Sequence, residues 1–312
     1  MNETRGGRLA DVAQEAGAAK PDPILVIDDV SKSFGGLKAV HVGHLEIQRG
    51  AITALIGPNG AGKTTFFNLL SGFDAPDTGE WSFNQGPLSG VAAHRIARNG
   101  MVRTFQLTKA LRRLTVMENM KLGATQQKGE NIFRALIPAT WKSQERDIED
   151  RADALLERFS MAHMRNEFAG ELSGGQRKLL EMARALMSDP ELVLLDEPTA
   201  GVNPALKQSL LGHIRELLEL GTTVMFVEHD MDMVRDISDW VVVMGEGSVI
   251  AEGPHEAIGR NQTVIDAYLG SHHDQPLTFE EEQDALERAD EALDEPASTH
   301  DGPMDPDGES LR

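Results

Sequence analysis

Two stretches of this sequence combine residue types that could bind and cleave a phosphate compound. The first is GPNGAGKT at residues 57–64, which fits the pattern G-x-x-x-x-G-K-[ST]. A glycine-rich turn of this kind points successive backbone N–H groups at phosphate oxygens, and the helix that follows adds its positive N-terminal end. Lys63 would reach the outer phosphates, and the Thr64 hydroxyl would bind Mg²⁺. The alternative is an ordinary glycine turn, which the predicted strand before the motif and the helix after it make less credible.

The second stretch is VLLDEPTAGVNP at residues 193–204, an apolar run that ends in two acids. Open α/β sheets bind ligands at the carboxyl ends of their strands, so Asp196 would lie across from Thr64 and hold Mg²⁺, usually through water. Glu197 would act as general base or orient the attacking water. Taken alone, the stretch reads as a buried strand and a polar turn. Together with the phosphate loop it predicts a catalytic segment.

A third motif, LSGGQ at residues 172–176, precedes a run of helical periodicity. A serine and two glycines at a helix start make a second anion-binding end. The alternative is a plain N-cap, because Ser173 is a good capping residue. One chain has little use for two separate phosphate-binding helix starts unless each serves a different nucleotide.

Hydrophobic patterning predicts the strands and helices on which these motifs lie. ILVIDDV, ITALI, ELVLLD and TVMFVEHD read as strands, TTFFNLLSGF reads as a helix, and WVVVMGEGSVI reads as a hairpin. Strands that alternate with helices favour an α/β fold with a mostly parallel sheet. Residues 114–190 carry long stretches of helical periodicity.

The motifs in this order resemble the ATPase subunit of ATP-binding-cassette (ABC) transporters over residues 23–270. The resemblance implies a P-loop fold with an antiparallel β subdomain and a helical subdomain at about residues 103–186. It also implies that two cassettes pair head to tail, so that the LSGGQ of one closes on the ATP of the other. The nucleotide-binding residues implied are Phe34, Gly57, Pro58, Asn59, Gly60, Ala61, Gly62, Lys63, Thr64, Thr65, Gln106, Ser173, Gly174, Gly175 and Gln176.

Individual roles carry over from the family at matching positions. Phe34 falls where an aromatic stacks on adenine, although a core phenylalanine is the alternative. Gln106 in VRTFQ matches a glutamine that touches Mg²⁺ and water, and His229 in VEHD matches a histidine that contacts the γ-phosphate. Glu197, His229 and Lys63 would therefore be catalytic, and Thr64, Gln106 and Asp196 would hold the metal. Asn203 departs from the family, which usually has an Asp in this interface loop.

Several further stretches, among them KSFGGLKAV, HRIARNGMVRTFQ, AGVNPAL and TVIDAYLG, are similar to ATPase subunits of branched-chain amino-acid importers of the LivG type. The similarity implies a second ATPase subunit, identical or different, separate permease subunits and an extracytoplasmic binding protein. It also implies a peripheral position on the cytoplasmic face of a prokaryotic membrane. The alternatives are the ATPase of a lipopolysaccharide-type exporter and a soluble ABC ATPase outside transport.

The composition of the chain excludes several kinds of site and segment. The 312 residues include no cysteine, which rules out disulfides and thiolate metal sites, and no run approaches the ~18 apolar residues of a membrane span. From Ser271 onward there are 14 acidic and 2 basic residues, so this segment carries −12 of the net charge of −20. The sequence contains no basic stripe of the kind that would indicate a nucleic-acid partner.

We expect a disordered leader at residues 1–22, a nucleotide-binding domain at 23–270 and an acidic, disordered tail at 271–312, for which an amphipathic helix is the alternative.

Overall fold

The computed structural model describes residues 9–104, 112–125 and 142–271, and within these ranges ten strands form two sheets. The strands are β1 (Pro23–Phe34), β2 (Leu37–Gln48), β3 (Ile52–Ile56), β4 (Thr78–Phe83), β5 (Gly86–Pro87), β6 (Met101–Arg103), β7 (Leu192–Asp196), β8 (Thr223–Val227), β9 (Trp240–Gly245) and β10 (Ser248–Gly253).

The larger sheet has the strand order β10-β9-β3-β8-β7-β6. Its strands are parallel from β9 to β6, and β10 returns antiparallel to β9 as the predicted hairpin. Every residue of β3, β8 and β9 is buried, which is the expected pattern for parallel strands covered on both faces. The predicted α/β class with a mostly parallel sheet is confirmed.

The smaller sheet is antiparallel, with the order β2-β1-β4-β5. It packs with one face of the larger sheet into one apolar cluster, which contains Leu55 of β3, Ile27 of β1 and Val42 of β2. This sheet is the antiparallel β subdomain that the sequence predicts, and it covers the side of the larger sheet that also carries the first helix.

The helices of the described residues are α1 (Lys63–Leu70), α2 (Ala93–Arg98), α3 (Val116–Gly123), α4 (Lys142–Arg158), α5 (Gly174–Leu186), α6 (Pro204–Glu219), α7 (Met231–Ile237), α8 (His255–Ile258) and α9 (Gln262–Ser271), with a 3-10 turn at Ala162–Met164. Residues of α3, α4, α5, α6 and α7 share a second apolar cluster with Ile52, Ala54 and Ile56 of β3. The larger sheet therefore lies between two layers, because alternate residues of its strands point to opposite faces.

The N-terminal segment differs from its prediction. The Lys20 ammonium pairs with Glu252 Oε2 at 2.8 Å, and the two side chains are only 1% and 0% exposed. Glu252 also accepts from the backbone N–H of Ala18 at 2.9 Å and from Trp240 Nε1 at 2.8 Å. Because a buried carboxylate is tolerated only when it is paired and hydrogen-bonded, this network ties the segment to β9 and β10. The prediction of disorder over residues 1–22 is therefore wrong for residues 9–22.

Three sequence predictions fall on residues outside the described ranges: Gln106, most of the segment between α3 and α4, and the acidic tail beyond residue 271. The described part of residues 103–186 contains α3, α4, the 3-10 turn and α5. None of the helices in the described ranges has the length and apolar character needed to span a bilayer.

Candidate nucleotide-binding site

The phosphate loop joins the end of β3 to the start of α1, and two of its glycines are required by their surroundings. Gly57 has φ +151° and Gly62 has φ +93°. A Cβ atom at Gly57 would overlap the carbonyl oxygen of Met244, and one at Gly62 would overlap that of Ala39. Only glycine combines this backbone with so close an approach, so the neighbouring strands β9 and β2 hold the loop in shape.

The start of α1 is open to a ligand. Its N-cap, Gly62, makes no side-chain capping bond, and its first turn contains no acidic residue. The first N–H groups of a helix have no partner within the helix, and together with the helix dipole they favour a bound anion. Anion binding at this helix start stays a prediction, for which the uncapped geometry gives support.

Lys63 is folded back onto the loop. Its ammonium donates to the carbonyl oxygens of Gly57 at 2.7 Å and Pro58 at 2.9 Å, and the residue is only 6% exposed. Burial lowers the pKa of Lys63, while the carboxylate of Glu197 acts in the opposite direction. A buried cation that is satisfied only by neutral carbonyls is well suited to transfer to a phosphate, because charge-assisted hydrogen bonds are stronger than neutral ones.

A cleft of about 680 Å³ lies over the loop. Nine predicted site residues line it, namely Asn59, Gly60, Ala61, Gly62, Lys63, Thr64, Thr65, Glu197 and His229, and the rest of the lining is Leu37, Lys38, Ala39, Glu246 and Gly247. The register explains why residues distant in sequence meet here. Leu55 of β3 and Asp196 of β7 both pair with Val227 of β8, so the carboxyl ends of three strands are level.

Glu197 and His229 face each other across this edge. Nε2 of His229 lies 3.0 Å from Oε1 of Glu197, and the histidine side chain is 46% exposed. Glu197 has φ +45°, a left-handed backbone that is uncommon for a residue other than glycine. Its N–H donates to the carbonyl oxygen of Val227 at 3.0 Å, so the residue is held at the end of the sheet with its carboxylate in the cleft.

Asp196 has a partner that the sequence analysis missed. Arg103 Nη2 donates to its Oδ2 at 2.6 Å, and the two side chains are only 6% and 7% exposed. Arg103 also donates to Asn68 Oδ1 at 2.7 Å and Ser71 Oγ at 3.2 Å, near the end of α1. No local sequence signal marks this pair, because Arg103 and Asp196 meet only through the pairing of β6 with its direct neighbour β7. Asp196 does not line the cleft itself.

The LSGGQ motif forms the start of α5 and is not part of the same cleft. Ser173 Oγ accepts from the N–H of Gln176, whose Oε1 accepts from the N–H of Ser173, which makes a complete capping box. Gly175 is buried, and a Cβ there would overlap the Leu206 side chain. None of Ser173, Gly174, Gly175 and Gln176 lines the cleft.

Phe34 is neither a core residue nor part of the cleft lining. It is 49% exposed, and the Lys32 ammonium lies 5.4 Å from its ring centroid. The cleft is lined instead by Leu37, Lys38 and Ala39 on the same pair of strands. The role of Phe34 as an adenine platform stays a prediction.

Asn203 has a structural role that accounts for its residue type. Its Oδ1 accepts from the N–H of Leu206 at 2.9 Å as the N-cap of α6. Asparagine is among the best N-cap residues, so the capping bond needs no carboxylate at this position.

Comparison with known proteins agrees with this geometry. The family model of the ABC transporter matches residues 40–200, and the model of the branched-chain amino acid ATP-binding cassette transporter matches residues 248–274. The chain belongs to the ABC transporter family and is an ATPase of the P-loop class. Within that family it falls in the branched-chain amino-acid group, as the following relatives show.

The chain is 43% identical over 248 residues to a probable branched-chain amino acid transport ATP-binding protein LivG of Archaeoglobus fulgidus, covering 80% of this chain and 96% of the relative. It is 40% identical over 250 residues to LivG of Escherichia coli K12, covering 80% and 98%. Among solved structures, it resembles a nucleotide-free ATP-binding cassette from an ABC transporter, with a TM-score of 0.69, 35% identity and coverage of 79% and 98%. It also resembles a cassette in its ADP conformation, with a TM-score of 0.69, 34% identity and coverage of 80% and 99%.

Proposed function

We propose that the chain hydrolyses ATP in this cleft and drives import of branched-chain amino acids, or of related amino acids and amides, through separate permease subunits. One observation carries the chemistry: an open helix start and a buried lysine face the Glu197–His229 pair across one cleft. The cargo class rests on relatives that are named as branched-chain amino acid transport ATP-binding proteins. Those names favour transport of branched-chain amino acids over lipopolysaccharide export or a soluble ATPase outside transport.

Each residue of the cleft has a separate task in this proposal. The loop N–H groups and Lys63 bind the phosphates, and Lys63 stabilises the charge that spreads over the γ-phosphate. Glu197 orients the attacking water and accepts its proton, while His229 holds the Glu197 carboxylate at 3.0 Å and contacts the γ-phosphate. Catalysis is then mostly positioning and electrostatics.

The residues present fit a Mg²⁺ ion that is held mainly by nucleotide and water. Within the described ranges, no three His, Asp or Glu side chains come together in a group that could hold a metal. Mg²⁺ commonly keeps several waters and takes only one or two protein ligands together with substrate phosphates. Thr64 lines the cleft, and Asp196 would act through water while Arg103 occupies its other face. When bound, the ion neutralises phosphate charge.

The capped start of α5 supports a paired arrangement. It lies outside the cleft of its own chain, so it can serve a nucleotide only on another subunit. We infer a head-to-tail pair with an identical or a different ATPase, in which Ser173, Gly174, Gly175 and Gln176 close on the partner's ATP. The pair would bind to permease subunits at the cytoplasmic face of the membrane and work with an extracytoplasmic binding protein.

The Glu197→Gln variant tests the chemistry. We expect kcat to fall about 100-fold or more, because a general base contributes on that scale, while ATP is still bound and the paired form accumulates. Steady-state hydrolysis and size-exclusion chromatography with Mg·ATP measure the two effects. Glu246→Gln is the matched control, since Glu246 lines the same cleft whereas the His229 ring is hydrogen-bonded to Glu197. Hydrolysis by Glu197→Gln at the wild-type rate would show that the assigned role is wrong.

The cargo needs its own experiment. The chain is reconstituted with the permease subunits and the binding protein that copurify with it, and ATP-dependent uptake of radiolabelled leucine, an amide and an unrelated sugar is compared. Uptake of leucine above the sugar supports the proposed class, and uptake of the amide alone narrows it. Efflux, or uptake of the sugar alone, would refute the proposed importer.

A further inference from the structure

Lys178 of α5 is a charged residue whose contacts serve the loop that carries Glu197. Its ammonium donates to the carbonyl oxygen of Glu197 at 2.9 Å and to that of Ala200 at 2.6 Å. Both acceptors belong to the turn that follows β7. Helix α5, which begins with LSGGQ, is therefore hydrogen-bonded through Lys178 to the backbone of Glu197 in the same chain.

The surroundings of Lys178 make the loss of these two hydrogen bonds unfavourable. Burial lowers the pKa of Lys178, and the carboxylates of Glu228, Glu181 and Glu197 act in the opposite direction. A partly buried ammonium needs its hydrogen-bond partners, because water supplies fewer of them. The two carbonyl oxygens are the partners in place, so the lysine and the turn stabilise each other.

A second buried charge holds the turn from the other side. Glu228, which is 4% exposed, accepts from the N–H of Thr199 at 2.8 Å and from its hydroxyl at 2.6 Å. Its other oxygen accepts from the N–H of His229 at 3.2 Å. The carbonyl oxygens of the turn thus accept from the Lys178 ammonium, and the N–H of Thr199 donates to the Glu228 carboxylate. Together these bonds stabilise the left-handed backbone at Glu197.

The same helix carries the motif that we assign to the partner's nucleotide. Lys178 follows Ser173 by just over one helical turn, and between them Gly175 packs directly against Leu206 at the start of α6. The helix start is therefore packed against the segment that follows the catalytic turn. If α5 moves, the turn after β7 must move with it, because close-packed contacts of this kind transmit displacement.

From this geometry we propose that Lys178 is a positioning residue that couples the LSGGQ helix to Glu197 of the same chain. This inference rests on the proposed function. When Ser173 contacts the nucleotide of the partner subunit, Lys178 holds the backbone of Glu197 in place. The Glu197 carboxylate is thereby positioned relative to the nucleotide that the same chain binds. Glu197 of each chain would then be correctly positioned for hydrolysis only when α5 of that chain contacts the nucleotide of the partner subunit.

Lys178→Met tests the coupling, since methionine keeps the buried stem and removes the two donors. We expect kcat for ATP hydrolysis to fall about 10-fold to 100-fold, a loss typical of a small misplacement of a reacting group. The KM for ATP and the affinity of the isolated chain for a fluorescent ATP analogue should stay within about 3-fold, because Lys178 does not line the cleft. Lys178→Arg should recover at least half of the lost rate.

Arg177→Met is the matched control. Arg177 is the adjacent residue of α5, and its guanidinium donates to the carbonyl oxygen of Leu172 rather than to the turn after β7. We expect it to retain at least about half of the wild-type kcat, because it leaves the Lys178 contacts intact.

The outcomes separate the inference from the proposed function. Wild-type turnover by Lys178→Met overturns the inference and leaves the proposed function standing, whereas an inactive wild-type chain overturns the proposed function. A rise in KM with unchanged kcat also refutes the positioning role. If the methionine variant does not fold, Lys178→Gln is compared with Lys178→Arg, and equal kcat values for the two contradict the inference.

Discussion

Two helix starts in this chain, both of which we propose to bind nucleotide phosphates, begin in different ways. Helix α1 begins behind Gly62 with no side-chain cap, whereas α5 begins behind Ser173 with a reciprocal bond to Gln176. The first lies in a cleft with a buried lysine, and the second lies outside it. An uncapped start suits a ligand bound within the same chain, whereas a capped start is stable without a ligand and suits the nucleotide that we propose a partner subunit presents to it.

The largest test of this contrast is Lys63→Met. The substitution keeps the buried stem and removes the charge that the open start needs, so we expect affinity for ATP to fall about 100-fold, in line with roughly 3 kcal/mol for a hydrogen bond to a charged group. Equilibrium binding of a fluorescent ATP analogue measures it. Lys38→Met is the control, because Lys38 lines the same cleft as an exposed cation. Equal losses in the two variants would contradict the special role of the buried lysine.

A smaller effect is expected at the capped start. Ser173→Ala should lower the free energy of unfolding by about 1 kcal/mol through loss of the cap. It should also lower kcat of the paired enzyme about 10-fold, because a donor to the transferring phosphate is lost. Binding of ATP by the isolated chain should not change. Calorimetry, turnover and ligand binding give the three values.

Helix α3 provides the control for Ser173→Ala, since Thr115 and Glu118 form the same capping box there. Thr115→Ala should cost a similar amount of stability and leave turnover unchanged. A similar loss of turnover in both variants would mean that Ser173 matters only as a cap.

The smallest effect is expected from removal of residues 272–312. Both helix starts belong to the unit that ends at Leu269, and the removed segment contains 14 acidic and 2 basic residues. We expect kcat and KM for ATP to stay within about 2-fold of the full chain, because the removed segment contains neither helix start and changes at independent sites rarely couple. A large loss of turnover would instead assign the segment a regulatory or structural role.

The sequence predicts the larger sheet and the phosphate loop because their signals are local. Burial on both faces gives β3, β7 and β8 continuous apolar runs, and the close approaches at Gly57 and Gly62 demand glycine. These features depend on neighbours in sequence or on backbone shape. A single stretch therefore identifies them.

The contacts that the sequence does not reveal join residues far apart in the chain. Lys20 and Glu252 are 232 positions apart, and an Ala- and Gly-rich segment gives no local sign that it will be anchored. Arg103 and Asp196, and Lys178 and Glu197, likewise meet only because the sheet brings their elements together. Ion pairs and backbone contacts of this kind follow from the fold and have no sequence pattern of their own.

The left-handed backbone at Glu197 has a consequence for evolution and engineering. Glycine would relieve about 1 kcal/mol of strain at this position, yet it would remove the carboxylate that faces His229. A library that is selected for melting temperature alone would therefore drift toward chains that fold well and turn over poorly. We therefore expect glutamate to be retained at position 197 when selection acts on the reaction itself.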